Sequence, residues 1–483
     1  MINETKYVAF LLAISAAFAV QAQQTGNDDE SSPLDQVVPV ADAEPDPAQP
    51  VAAAEDELTL DEQLAIEFER YRRLVNEGAM DEADVSAKRI VEMVIKIHGP
   101  ESLEAAKALN NLALVQHRNG QYDAAIQNFE SAVEIIEIRE DRLNEKLVNP
   151  LKGLGAAQLA GGRPDLATKT FARATHITHV NEGPHNIEQV EILESLAQST
   201  LLLGDSNGAR NIIDRVHALN VRHFEGDELA LIPSLMRRAR WQHAAKYYND
   251  ERATYRRAIR IVEASLGKND PQLILPLSKL GESFYFVDTS QTIPQQQGLV
   301  STGEMYFKRA AKIAEASPEL DWRDLVRAKL ALADYYVYNE AQNRARKIYA
   351  DVWSFLSADE ERLASRRALL EQPVLLREGA LPKYIGKAGA DNAGGDLLTG
   401  TIRVDYTISK RGRVRNIRTE AKPPQFTDMQ RMVHREIRQR VFRPRMMDGQ
   451  LQTSDNLVFE HTFFYQQADL DKAISIQEQA AER

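Results

Sequence analysis

His176 and His179 stand three residues apart, a spacing that can place two imidazoles on one face of a helix and begin a metal site. No Asp or Glu is spaced to complete the ligand set, so the two read as a surface pair. Gly153-Leu154-Gly155 has the start of a dinucleotide loop but lacks its third glycine. His-Glu-x-x-His, a Walker loop and a nucleophile elbow are missing. With no cysteine in the sequence, disulfides, thiolate zinc sites and cysteine nucleophiles are excluded. The expectation is a protein that is not an enzyme, with no catalytic residue, metal or cofactor. An envelope enzyme whose composite site is invisible in sequence is the alternative.

The charged residues suggest binding instead. The 483-residue chain has a net charge of −12, distributed unevenly. Residues 23–63 hold 12 Asp or Glu and no Lys or Arg, whereas residues 401–465 hold 13 Lys or Arg against 7 Asp or Glu. Lys410, Arg411, Arg413, Arg415 and Arg418 form a basic contact surface suited to acidic peptides, anionic lipid or envelope polymers. Nucleic acid is not expected, because the chain reads as exported and no aromatic stacking pattern accompanies the basic run. An intramolecular docking of the acidic arm on the basic module is outweighed by the reading of a solvated arm.

Export is read from residues 1–22. Lys6 gives a weakly positive start, Tyr7–Val20 is an apolar run, and Val20-Gln21-Ala22 offers a cleavage site after Ala22. The run is short of the roughly 20 residues a membrane span needs. The alternative is an uncleaved inner-membrane anchor. Residues 23–59 are an acidic, Ala- and Pro-rich segment that cannot bury enough apolar surface to order itself.

What positions any binding surface is a long periodic region. Residues 105–138 read as two helices joined at Asn119-Gly120. Steps of 42 residues lead from Leu109 to Leu151, Leu193, Leu235 and Leu277, and from Ala113 to Gly155, Ala197, Ala239 and Gly281. The same steps lead from Gly120 to Gly162 and Gly204, and from Phe129 to Phe171, Ile213 and Tyr255. Small residues let the helices of a hairpin approach, and large ones fill the gap to the next hairpin. About seven hairpins fit residues 60–370. The fifth departs: Arg238 replaces a leucine and Glu251 an alanine. Its Arg237-Arg238-Ala239-Arg240 run reads as a solvated face paired to Asp250 and Glu251, with a groove for acidic partners as the alternative. An insertion at Asp288–Gly298 makes a partner-contact loop or a neutral addition. Phe284, Tyr285, Phe286, Tyr335, Tyr336, Tyr338 and Trp353 form core, some of them sealing the last hairpin against the next domain. The small–aromatic–small pattern of Ala125, Phe129 and Ala132 resembles the tetratricopeptide repeat, in the extended form of kinesin light chain-like repeats. That resemblance implies an all-α solenoid whose groove takes peptides of protein partners.

Helical periodicity stops in residues 371–399, read as a linker. From Gly400 the period changes to two: Ile402, Val404, Tyr406 and Ile408 alternate with polar residues in a half-buried strand. Lys410-Arg411-Gly412 makes a hairpin turn into a second strand, Val414–Thr419. Thr427 caps a helix with Met429, Val433, Ile437 and Val441 on one stripe, and Leu457–Tyr465 is a third strand. The result is a small α+β (ββαβ) module over residues 400–466, followed by a tail, 467–483, of helical character. His461, in line with Phe459 and Phe463, reads as core or edge.

This module resembles the C-terminal domain of the TonB family, the periplasmic part of energy transducers. The resemblance rests on Gly400-x-Ile402-x-Val404-x-Tyr406-x-Ile408, Gly412-x-Val414, Phe442-Arg443-Pro444 and Asp448-Gly449. Pro382-x-Tyr384 resembles the family's lead-in, with Ile385 where proline is usual, and Arg440 stands where tryptophan often precedes the Phe-x-Pro. The resemblance implies a periplasmic location in a Gram-negative bacterium and a sheet edge offered to an extended peptide of an outer-membrane receptor or other envelope protein. That edge would be Val458, Phe459, Glu460, His461, Thr462, Phe463, Phe464 and Tyr465, with homodimer pairing or capping by the tail as alternatives. A transducer also needs a membrane anchor and a long Pro-rich spacer. The chain is therefore read as a scaffold that combines a repeat solenoid with a TonB-like module, and a membrane-anchored transducer supporting transport is the alternative.

Overall fold

The computed structural model describes residues 58–286, 303–377, 381, 382, 385 and 398–481. The signal with its Ala22 site, the acidic segment up to residue 57 and the Asp288–Gly298 insertion lie outside the described residues. The chain divides into two compact units, Met1–His223 and Phe224–Arg483.

The described part of the first unit is four helical hairpins: α1 (Leu60–Glu77) with α2 (Met80–His98), α3 (Leu103–Arg118) with α4 (Tyr122–Arg139), α5 (Val148–Ala160) with α6 (Pro164–Glu182), and α7 (Gln189–Leu202) with α8 (Ser206–His223). Each turns at a glycine in the left-handed region: Gly78, Gly120, Gly162 and Gly204, with φ of 75, 74, 78 and 86°. Glycine takes this conformation without a Cβ clash. The following amide closes each of the last three corners, Gln121 N–H to Gln116 O at 2.8 Å, Arg163 to Gln158 at 2.8 Å and Asp205 to Thr200 at 3.2 Å.

The 42-residue phase is therefore a phase of corners, and it is also one of contacts. The Gln116 side-chain oxygen accepts from Asn128 at 2.7 Å, and Gln158 accepts from Thr170 at 2.8 Å, tying the two helices of successive hairpins. A Cβ on Gly155 would lie 2.6 Å from the Phe171 ring, so only glycine permits this approach of α5 and α6. Phe129, Leu151, Phe171 and Leu193 are buried, while Leu109, the head of its series, is half-buried.

The second unit continues with α9 (Ile232–Ala244), α10 (Tyr248–Ser265), α11 (Ile274–Ser283), α12 (Glu304–Glu315), α13 (Trp322–Tyr338), α14 (Gln342–Ser357) and the short α15 (Leu363–Leu370). The Gln–Thr tie recurs in it as Gln242 to Thr254 at 2.8 Å. The corner position is taken by Lys246, at φ 65°. The sheet module follows: β1 (Val374–Arg377), β2 (Leu398–Ile408), β3 (Val414–Lys422), α16 (Thr427–Gln439), β4 (Val441–Arg443), β5 (Met446–Met447), β6 (Gln450–Leu451), β7 (Ser454–Tyr465) and α17 (Gln467–Ala481). The main sheet is antiparallel with order β3-β2-β7. Ile402, Val404, Tyr406 and Ile408 alternate inward against Met429, Val433 and Ile437 of α16.

Three local readings are corrected. Val374–Arg377, inside the stretch read as a linker, is a strand paired antiparallel with Val441–Arg443. Val441 is not on the helix stripe: the helix ends at Gln439, and Arg440 is already extended at φ −61°, ψ 143°. Thr427 begins that helix without a side-chain capping bond. The β1–β4 ribbon then divides two cores. Leu375 and Phe442 pack into the core of the sheet module, while Leu376 and Val441 pack with Tyr335, Val337 and Tyr349 at the end of the helices. Alternation of side chains along a strand makes this two-sided packing possible.

Candidate partner-binding edge

β7 lies at one edge of the three-stranded sheet and pairs with β2 in unbroken register from Leu398↔Tyr465 to Tyr406↔Leu457. Its buried face carries Phe459, His461, Phe463 and Tyr465, and its other face carries Val458, Glu460, Thr462 and Phe464. The carbonyl of Phe464 accepts from the Ile385 N–H at 2.9 Å, so the Phe464 peptide groups point away from β2. Backbone groups alternate along an antiparallel strand, which places those of Val458, Glu460 and Thr462 on the same outward edge. Among the described residues, no backbone partner meets the amides of these three. The eight residues read as an edge are thus two sets. Phe459, His461, Phe463 and Tyr465 turn their backbone toward β2 and their side chains into the core, and only the alternate set can receive another strand.

The strand is held firmly. Phe463 is fully buried beside Gly400, and Phe426 meets it edge-on at 5.3 Å. Arg440 lays its guanidinium 4.3 Å over the Phe459 ring. On the open face Arg403 of β2 stands between Glu420 of β3 and Glu460 of β7, and Asp405 stands opposite Arg418. Opposite charges side by side across strands are favourable by a few tenths of a kcal/mol to about 1 kcal/mol per pair.

The basic surface is not uniform. Lys410, Arg411, Arg415 and Arg418 are exposed. Arg413 turns back on the helices, donating to Tyr338 O at 3.1 Å and to Glu340 at 3.3 Å, and Gln342 donates to Arg411 O at 3.4 Å. Deeper, Arg443 of β4 makes a two-pronged contact with Asp334 of α13, Nε to Oδ1 at 2.9 Å and Nη2 to Oδ2 at 2.6 Å. Its third nitrogen donates to Leu369 O at 2.9 Å, and Tyr349 donates to Asp334 Oδ1 at 2.6 Å. Burial opposes the Arg443 charge, and Asp334 and Tyr349 more than offset it, holding its pKa above the ordinary value. Burial, then the Asp334 charge, pushes the Tyr349 hydroxyl far up. This network joins the sheet module to the last full hairpin of its own unit. Sequence reading placed Arg443 in a motif but had no signal for its partner.

The other candidates take ordinary places. His176 and His179 are exposed, and no group of three metal-type ligands occurs among the described residues. Gly153 and Gly155 sit inside α5 against the Phe129 and Phe171 rings, a packing role. The fifth hairpin corrects its reading as a solvated face. Glu251 is buried and meets His243 Nδ1 at 3.1 Å, and Arg237, Arg238 and Arg240 are half-buried. In the first unit a groove of about 320 Å³ between α4, α5 and α6 is lined by Glu130, Glu134, Glu137, Lys169 and Arg173, with Arg173 paired to Glu137.

Residues 74–138 match the family model of the tetratricopeptide repeat. No curated protein matches the chain. Among solved structures it is similar to the nearly identical TPR-like repeats of a kinesin light chain from Podosopora anserina, at 18% identity over 42% of this chain and 97% of that one, with a TM-score of 0.39. It is also similar to the C-terminal part of a TPR repeat-containing protein from Cytophaga hutchinsonii, at 11% identity over 62% and 98% of the two chains, with a TM-score of 0.38. Aspartyl phosphate phosphatase F from Bacillus subtilis is similar at 11% identity over 66% and 92%, with a TM-score of 0.38.

Proposed function

We propose that this chain is a non-catalytic interaction protein of the Gram-negative periplasm. Its tetratricopeptide-like hairpins hold one protein partner. Its TonB-like module adds an extended segment of a second partner, an outer-membrane receptor or other envelope protein, to the β7 edge.

The observation that supports this reading most directly is the row of outward amides at Val458, Glu460 and Thr462 on a strand whose other side is locked into the sheet. Main-chain hydrogen bonds to such an edge supply affinity without demanding a particular side chain, and pockets beside it supply selectivity. A strand of five residues, 458–462, offers about 17 Å of edge.

The test is a photoreactive residue at Thr462, expressed in cells of the source organism, with and without Glu460→Pro. Proline at 460 removes an outward donor and the exposed Glu460 carboxylate opposite Arg403 but leaves the donors of the β2 ladder in place, whereas proline at Phe459 would break that ladder. The reading expects a discrete adduct that Glu460→Pro abolishes while the melting temperature holds. No adduct, or one unchanged by the proline, contradicts it.

A further inference from the structure

The C-terminal end of the β7 edge is already occupied. Ile385 donates its backbone N–H to Phe464 O at 2.9 Å, and Pro382 O accepts from His461 Nε2 at 2.9 Å. Leu381 and Ile385 also pack against the core of the sheet module. Pro382 stands by His461 and Ile385 by Phe464, so the two segments ascend in the same direction.

We propose that this lead-in is a built-in competitor for the edge. A strand entering at Val458, Glu460 and Thr462 runs into Ile385 at the next outward position, Phe464. It either stops at about five residues or displaces the lead-in. The edge then has two registers: a short one available at rest, and a longer one that opens only when Ile385 leaves Phe464. Partners with a short extended segment bind the resting form. Those with a longer one must also supply the free energy of displacement.

The residue type at 385 carries the point. Proline, usual at that place in the lead-in pattern this segment resembles, has no N–H and could not hold Phe464. Isoleucine has one, and uses it there. A tethered competitor acts at a millimolar effective concentration, which weakens an equivalent free strand about tenfold or more where that strand binds with a Kd of about 0.1 mM or tighter.

The proposal rests on the reading of β7 as a strand-addition edge, but its test does not need the natural partner. The probe is a synthetic peptide copying residues 381–387, Leu-Pro-Lys-Tyr-Ile-Gly-Lys, titrated by NMR to millimolar concentration into the full chain and into Ile385→Pro. The variant's own lead-in lacks the donor that the peptide brings. The expected result is a response of the His461 and Phe464 signals at least about tenfold stronger in affinity for Ile385→Pro than for the unaltered chain. Equal affinity, or no response in either chain, overturns it. Should the variant fail to fold, amide exchange of Ile385 in the unaltered chain decides. Slow exchange supports the contact, and exchange at the rate of an unstructured amide overturns it. If the peptide discriminates while the envelope adduct ignores Glu460→Pro, the competitor stands and the partner reading falls.

Discussion

Arg443 and Asp334, 109 positions apart in sequence, meet through two parallel hydrogen bonds at 2.9 and 2.6 Å in a site that is almost fully buried. One belongs to a three-residue strand of the sheet module and the other to a repeat helix. Their contact, closed by Tyr349 and Leu369 O, makes the last hairpin and the module one packed body.

Breaking that contact should be costly and non-additive. Arg443→Met leaves the Asp334 carboxylate buried with only Tyr349, and Asp334→Leu leaves the buried guanidinium with only the Leu369 carbonyl. Each is expected to cost about 3–5 kcal/mol, with the double variant recovering much of the loss. Denaturant unfolding of the three variants measures this as a double-mutant cycle. Additive losses would contradict a coupled pair.

The hairpin corner of the fifth repeat predicts a gain. Lys246 is exposed and holds φ 65° at the place where Gly120, Gly162 and Gly204 stand in earlier hairpins. Relief of the Cβ clash outweighs the added freedom of glycine in the unfolded chain. Lys246→Gly should stabilise by about 0.5–1 kcal/mol. Gly120→Ala should destabilise by a similar amount or more. The denaturant midpoint reports both.

His117 predicts an acid-sensitive first unit. The residue is 9% exposed, its Nδ1 has no hydrogen-bond partner, and burial, with help from Arg118, pushes its pKa down from 6.5 to about 4. The folded state therefore refuses a proton that the unfolded state accepts below 6.5. Stability is fully present above that pH and falls as pH drops from 6.5 toward 4, by up to about 3 kcal/mol. His117→Gln should flatten this slope when denaturant midpoints are compared at pH 7 and 4.5.

The periodic part of the fold was legible because its positions are specific in residue type. A glycine corner and a small residue under an aromatic ring each leave a residue-level trace, so the 42-residue phase reads directly; the glutamine ties at Gln116, Gln158 and Gln242 keep the same step but emerge only from the structure. Glu251 misled, because a carboxylate in an alanine position looks like surface, and its burial depends on His243 across the corner. The β1 strand left little trace: four residues, Val374–Arg377, directly after Pro373, gain their structure from β4 and from the two cores that Leu375 and Leu376 enter. The edge was legible as a strand but not as two sets of residues. Which amides face outward follows from register with β2 and from Ile385, neither of which is written locally.

The export reading predicts a mass. The purified native chain should begin at Gln23 and fractionate with soluble periplasmic contents. A full-length chain in the inner membrane would contradict this and favour the anchored-transducer alternative.

The most direct test of the central claim is amide exchange along β7, residue by residue, in the chain alone and in complex with the partner captured through Thr462. The account predicts alternation in the free chain, with Val458, Glu460 and Thr462 fast and Phe459, His461 and Phe463 slow. In the complex it predicts that the three fast amides slow by about a hundredfold or more. Uniformly slow exchange in the free chain, or fast amides unchanged in the complex, would contradict it.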